Sequence, residues 1–152
     1  MSLPSIEETL LPVEKDDVIE LDEIYSFVGN KKNKRWIWLG KLRKKKQIIA
    51  YFIGDRSAKS LKKLWKRIPK KYKKLLSFSD EWQAYSEVLN PKTHTSVPKQ
   101  SGETSHIERI NNTLRQRIGR LVRKTLSFSK SEYMHDLAIR RFIIDYNESL
   151  IN

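Results

Sequence analysis

The first sixteen residues show no sustained apolar period. They carry Pro4, Pro12 and three glutamates, and read as a loose acidic leader. From Asp17 to Gly29 the pattern changes. Ile19, Leu21, Tyr25 and Phe27 fall on one face of an extended chain, and Val18, Ile24 and Val28 on the other. Apolar residues on both faces predict a central strand covered on both sides. "GNKKNK" is a turn, "RWIWLGKL" predicts a second strand and "KQIIAYFIG" a third. The lysine-rich stretch between the last two reads as a solvated hairpin loop.

The period then lengthens. Leu61, Leu64, Trp65 and Ile68 stand at i, i+3, i+4 and i+7, which makes one helical stripe in "SAKSLKKLWKRIPKKY". "KKLLSFSD" predicts a short fourth strand, with Leu76, Phe78 and Asp80 on one face. "EWQAYSEVL" predicts a helix stopped by Asn90-Pro91, and "THTSVPK" a fifth strand. After the loop "KQSGETS", a helix is expected from about His106 to Lys124, with Ile107, Ile110, Leu114, Ile118 and Leu121 inward. The capping signal Ser129-x-x-Glu132 then opens a final amphipathic helix. Three strands joined by short loops predict an antiparallel meander, and a strand returning after a helix predicts a parallel addition. The expected fold class is α/β: a mixed five-stranded sheet flanked by helices, with C-terminal helices. The expected organisation is one domain, residues 17–152, behind the leader 1–16.

Composition narrows the function. The 152 residues contain no cysteine, which excludes disulfides, cysteine nucleophiles and a zinc ribbon within this chain. His94, His106 and His135 have no metal-ligand spacing. No apolar run of membrane length and no secretory signal is apparent, so a cytoplasmic protein is expected. The net charge is +13, unevenly placed: residues 1–23 hold eight acids and one base, leaving 30 bases and ten acids for the rest. Such a body attracts a polyanion; the bland alternative is a solvated, lysine-rich surface. Phosphate loops and the motifs GxGxxG, GxSxG and HExxH are absent.

Three acids stand where metal chemistry would use them. Asp22 lies inside the first strand, where a charge is costly unless paired or metal-bound. Asp80 ends the fourth strand, and parallel segments tend to place sites at strand carboxyl ends. Glu108 lies near the start of the helix "HIERINNTLRQRIGRLVRK", on one face with Asn112, Arg115 and Gly119. Oxygen ligands from separate rigid elements suit magnesium or manganese. Each acid also has a plain reading. Asp22 at a sheet edge faces water, Asp80-x-x-Gln83 forms a capping box, and Ser105-x-x-Glu108 forms another. Asp55 after the third strand is a fourth acid or a turn former. Trp36, Trp38, Trp65 and Trp82 read as core rather than base-stacking platforms.

"LDEIYSFVGNKKNKRWIWLG", "FSDEWQAYSEVL", "HIERINNTLRQRIGRLVRKTLSFSKS" and "MHDLAIRRFI" resemble, in order, the catalytic half of transposases of the insertion-sequence-one family. The resemblance runs from about residue 18 to the C-terminus. It implies a DDE transposase with a ribonuclease-H-like fold and a catalytic triad on Asp22, Asp80 and Glu108. It also implies two divalent ions, Mg2+ or Mn2+, held by these acids. One would activate water or a DNA 3′-hydroxyl and the other would stabilise the leaving oxygen. Arg109, Asn112, Arg115, Arg117, Arg120, Arg123 and Lys124 are the expected DNA contacts. Because two DNA ends must be held together, a homo-oligomer on DNA is expected. Full-length members of the family add a zinc-ribbon and helix-turn-helix module, often through a translational frameshift. Dependence on such an upstream end-binding module is therefore expected, with this chain as a second frame or a fragment. Two alternatives stay open: an inert fragment that only binds nucleic acid, and another ribonuclease-H-like nuclease using Glu23 or Asp55 as a fourth carboxylate.

Overall fold

The computed structural model describes residues 3–29, 32–79, 83–96, 116 and 131–151. Five strands form one mixed sheet in the order β3-β2-β1-β4-β5. β1 (Ile19–Phe27), β2 (Lys34–Leu42) and β3 (Ile48–Gly54) are the expected meander. β1 and β2 pair antiparallel along their whole length, from Ile19↔Leu42 to Phe27↔Lys34. Between β2 and β3 the register shifts at Gly40/Lys41, from Gly40↔Ala50 to Lys41↔Ile48. Ile49 is the extra residue of this bulge, and both Ile49 and Ala50 join the same core cluster. Gly40 permits close helix approach there, because a Cβ would come 3.4 Å from Ile68 Cδ1.

α1 (Ala58–Arg67) follows β3. The Ser57 hydroxyl accepts from the Ser60 amide at its start. The predicted stripe is the buried one: Leu61, Leu64 and Ile68 are almost fully enclosed. β4 (Ser77–Ser79) then enters parallel to β1, with Ile19↔Ser77 and Glu20↔Phe78. After α2 (Gln83–Val88), β5 (His94–Ser96) adds parallel to β4. α3 (Glu132–Ser149) closes the chain. A meander plus two parallel strands, with helices between, is the ribonuclease-H-like arrangement.

One core cluster lies between the sheet and α1 and α2, around Ile19, Leu21, Trp38, Leu64 and Tyr85. The other lies under α3, around Ile24, Ile37, Leu39, Ile139 and Ile143. Trp38 is wholly buried, while Trp36 and Trp65 pack against the first cluster. Leu76, expected on a strand face with Phe78, precedes β4 and is half exposed.

Two expectations change. The cap of α3 is Ser131, whose hydroxyl accepts from the Met134 amide at 3.2 Å, not Ser129. Glu132 is then the first helical residue rather than the third, so it does not close a capping box. It accepts instead from Arg35 Nε of β2, at 3.1 Å. The leader also differs from a loose segment. Leu10 and Val13 pack against the first cluster and Ile6 against the second. The Thr9 carbonyl accepts from Gln47 Nε2 at 2.8 Å, and Gln47 Oε1 accepts from the Leu11 amide at 2.8 Å. Glu14 pairs with Lys44 and Lys45, and Asp16 with Lys44. Lys44 first, then Lys45, hold the Glu14 carboxyl down at about 2. The hairpin lysines are therefore met by leader acids, a long-range pairing that local periodicity does not carry.

Candidate active site around Asp22

β1 is the middle strand, so the edge alternative for Asp22 falls. Asp22 stands opposite Leu39 of β2 and is 8% exposed. Strand alternation puts it on the sheet face of Ile24 and Leu39, the face on which α3 packs, whereas Glu23 shares the face of Leu21, on which α1 and α2 pack. Three carboxylates thus lie within four residues of one buried strand.

Glu20 and Glu23 have structural duties. Glu20 Oε1 accepts from Arg43 Nε at 2.7 Å, and Lys41 Nζ lies 3.9 Å from Oε2 with both side chains enclosed. The Arg43 guanidinium also sits 4.9 Å over the Phe78 ring, joining β4 to this ion pair. Glu23 accepts from Arg56 Nη2 at 3.0 Å and from the Tyr85 hydroxyl. Both carboxylates are enclosed and already paired with a cation. Asp55 is equally committed. Its carboxylate accepts from the Ser57 amide at 3.2 Å, the Ser57 hydroxyl and the Ser60 hydroxyl at 2.7 Å. The bonds from Ser57 and then Ser60 lower its pKa. Glu23 on the opposite face and Asp55 at a helix start do not supply a fourth carboxylate beside Asp22.

β4 brings a second buried polar group that the sequence pattern does not reveal. His94 of β5 is bridged on both ring nitrogens: Ser77 Oγ is 2.7 Å from Nδ1 and Ser79 Oγ 2.8 Å from Nε2. Its ring stacks on Tyr85, with centroids 6.0 Å apart. The available signal is the serine alternation Ser77-x-Ser79, which has meaning only once β5 is known to lie alongside. Burial pushes the His94 pKa from 6.5 down to about 4. The unfolded chain therefore takes up a proton first as pH falls. The stability tied to neutral His94 is complete above about pH 6.5 and is lost on descent to about pH 4. The expected loss is on the order of 1–3 kcal/mol. His135, buried and 2.7 Å from Ser26 Oγ, is shifted the same way by burial. Urea midpoints from pH 7.5 to 4.5 test this: His94→Asn should flatten the decline, and an unchanged slope would contradict it.

Asp80, Glu108, Arg109, Asn112, Arg115, Arg117, Arg120, Arg123 and Lys124 lie outside the described residues, as do Trp82, Ser105, His106 and Gly119. Within the helix expected from His106 to Lys124, Gln116 is described, and it is helical and exposed. Among the described residues no group of three or more His, Asp or Glu forms a metal site. No helix among them is long and apolar enough to cross a membrane.

A family model for IS1 transposases matches residues 17–147, beginning where the leader ends. "Insertion element IS1 4 protein InsB" from Escherichia coli (strain K12) is 34% identical over 124 residues, covering 82% of this chain and 72% of the relative. "Insertion element iso-IS1n protein InsB" from Shigella dysenteriae is 36% identical over 128 residues, covering 83% of this chain and 93% of the relative. "Insertion element IS1 protein InsB" from Shigella flexneri is 33% identical, at 82% and 92% coverage. With its sheet order, its central acidic strand and a match over most of its length, the chain belongs to the IS1 transposase family.

Proposed function

We propose that this chain is the catalytic domain of an insertion-sequence transposase, cutting DNA phosphodiester bonds and joining the ends to target DNA. Membership of the family supports a role in transposition. The observation that carries the chemical reading is the position of Asp22: a buried carboxylate on the middle strand, beside a parallel strand. β4 ends at Ser79, and Asp80 is the next residue in the chain.

Asp22, Asp80 and Glu108 are the proposed acids. An all-oxygen set of carboxylates fits Mg2+ or Mn2+ rather than zinc or copper. Bound there, the metal would supply Lewis acidity at the scissile phosphodiester. The chain's own residues do the rest. The nine-residue β1–β2 ladder holds the Asp22 backbone in a fixed register. Glu20 and Glu23, already paired with cations, add little net negative charge against an incoming phosphate. Arg109, Asn112, Arg115, Arg117, Arg120, Arg123 and Lys124 are proposed to grip the DNA backbone. Two copies would hold two DNA ends, with end recognition supplied by an upstream module.

The test is strand transfer from a pre-cut oligonucleotide end into plasmid DNA, with the chain fused to an end-binding module. Joined product is expected with Mg2+ or Mn2+ and none in EDTA. DNA binding without any joining, in either metal, would instead make this chain an inert binding fragment.

A further inference from the structure

The outer surface of α1 lies across the sheet from Asp22. From Lys59 to Lys74, nine of sixteen residues are Lys or Arg, and no acid occurs from Arg56 to Ser79. α1 buries Leu61, Leu64 and Ile68, which turns Lys59, Lys62, Lys63 and Lys66 to solvent. The basic surface continues through the 3-10 turn Lys70–Tyr72. Among the described residues, none of the cations from 59 to 74 forms an ion pair with a carboxylate. The hairpin cations behave otherwise: Arg43, Lys44 and Lys45 are each met by an acid. The molecule therefore neutralises one lysine cluster internally and leaves the other charged.

Aromatic rings help to position part of that charge. Lys63 lies 5.4 Å over Phe52, Arg67 5.1 Å over the same ring and Lys73 5.9 Å over Trp65. Stems held this way lose less freedom on binding. Large exposed hydrophobics are absent from α1, so the surface lacks the apolar face that a lipid-binding helix uses. Ten helical residues span about 15 Å, a length over which duplex DNA presents about nine phosphates.

α1 packs on the sheet face of Leu21 and Trp38, while Asp22 lies on the opposite face with Ile24 and Leu39. A phosphate backbone resting on the outer side of α1 is separated from Asp22 by the helix and the sheet. We propose that the α1 surface is a second, sequence-independent DNA-binding site, which takes a duplex segment other than the one at Asp22. The proposal rests on the transposase reading for its choice of DNA.

The test needs neither metal nor cleavage. A K59Q/K62Q/K63Q/K66Q chain is titrated with a non-specific 30-bp duplex at several salt concentrations. Each lysine that no longer neutralises a phosphate lowers the salt slope by about 0.9. A fall of about 2 to 4 is therefore expected, with affinity down about 10- to 1,000-fold at low salt. Neutralising the paired hairpin, K44Q/K45Q, should change the slope by less than about 1. Matching thermal midpoints would show that the quadruple variant is folded. An unchanged slope in a folded quadruple variant overturns the proposal, and so does preference for an RNA hairpin over duplex DNA. The outcome is separable from catalysis: Asp22→Asn tests the chemistry and leaves the α1 surface intact.

Discussion

Replacing Asp22 with asparagine should abolish DNA cleavage and strand transfer while leaving the protein folded. The two side chains have nearly the same shape, and β1 is held by backbone pairing to Leu39 and its neighbours, which the change does not touch. What changes is charge and basicity at a buried point in the middle of the sheet. An amide is a much poorer ligand for a hard divalent cation than a carboxylate. Loss of several kcal/mol of transition-state stabilisation corresponds to about a 1,000-fold or greater fall in rate. A second readout is independent of turnover. Mg2+ or Mn2+ that binds the native state raises the thermal midpoint of the wild-type chain by linkage, and this rise should vanish in Asp22→Asn. Wild-type rates from the variant, or an identical metal-dependent rise, would remove Asp22 from the site. Asp80→Asn and Glu108→Gln complete the series.

The largest effect on stability is expected at Asn147. Its side chain accepts from the Ile48 amide at 2.9 Å and donates to the Ile48 carbonyl at 2.8 Å and to Thr9 Oγ1 at 3.0 Å. Its backbone carbonyl accepts from Gln47 Nε2 at 3.3 Å. Asn147 and Ile48 are fully enclosed, so no water replaces these bonds. Asn147→Leu orphans both backbone groups of Ile48 and should cost about 2–4 kcal/mol. For a chain of this length the thermal midpoint falls by roughly 5–12 °C. Thr9→Val removes the leader's hydroxyl alone and should cost about 1 kcal/mol. If the two variants lose the same stability in urea titration, Asn147 acts through the leader rather than through β3.

The meander is legible in the sequence because its strands carry apolar residues at extended-chain spacing and polar connections. α1 is legible because Leu61, Leu64 and Ile68 keep a helical stripe. Those are local signals. The Ser131 cap is easily misplaced because Ser129 satisfies the capping-box spacing, and only Arg35 across the fold reveals where Glu132 is used. The leader's docking is hidden because Gln47, Lys44 and Asn147 lie far along the chain. At the candidate site, burial in an apolar strand marks Glu20 and Glu23 as much as Asp22, and it is the family resemblance that singles out Asp22. The commitments of Glu20, Glu23 and Asp55 need the positions of Arg43, Arg56 and Ser60. The same holds for the His94 bridge, which joins two strands separated in sequence by α2.

The sheet is built from two unlike halves, and this has a consequence for its motions. β1 and β2 zip along nine residues next to each other in sequence. β4 has three residues, meets β1 at two positions, and reaches it only after β2, β3 and α1 have intervened. The meander can therefore nucleate by itself, while β4 and β5 join late in folding, after α1 has delivered them. By the same reasoning the β4 side opens at lower free energy than the meander. Asp22 belongs to the half that forms first and yields last. Ser79, the residue before Asp80 in the sequence, belongs to the half that opens more readily.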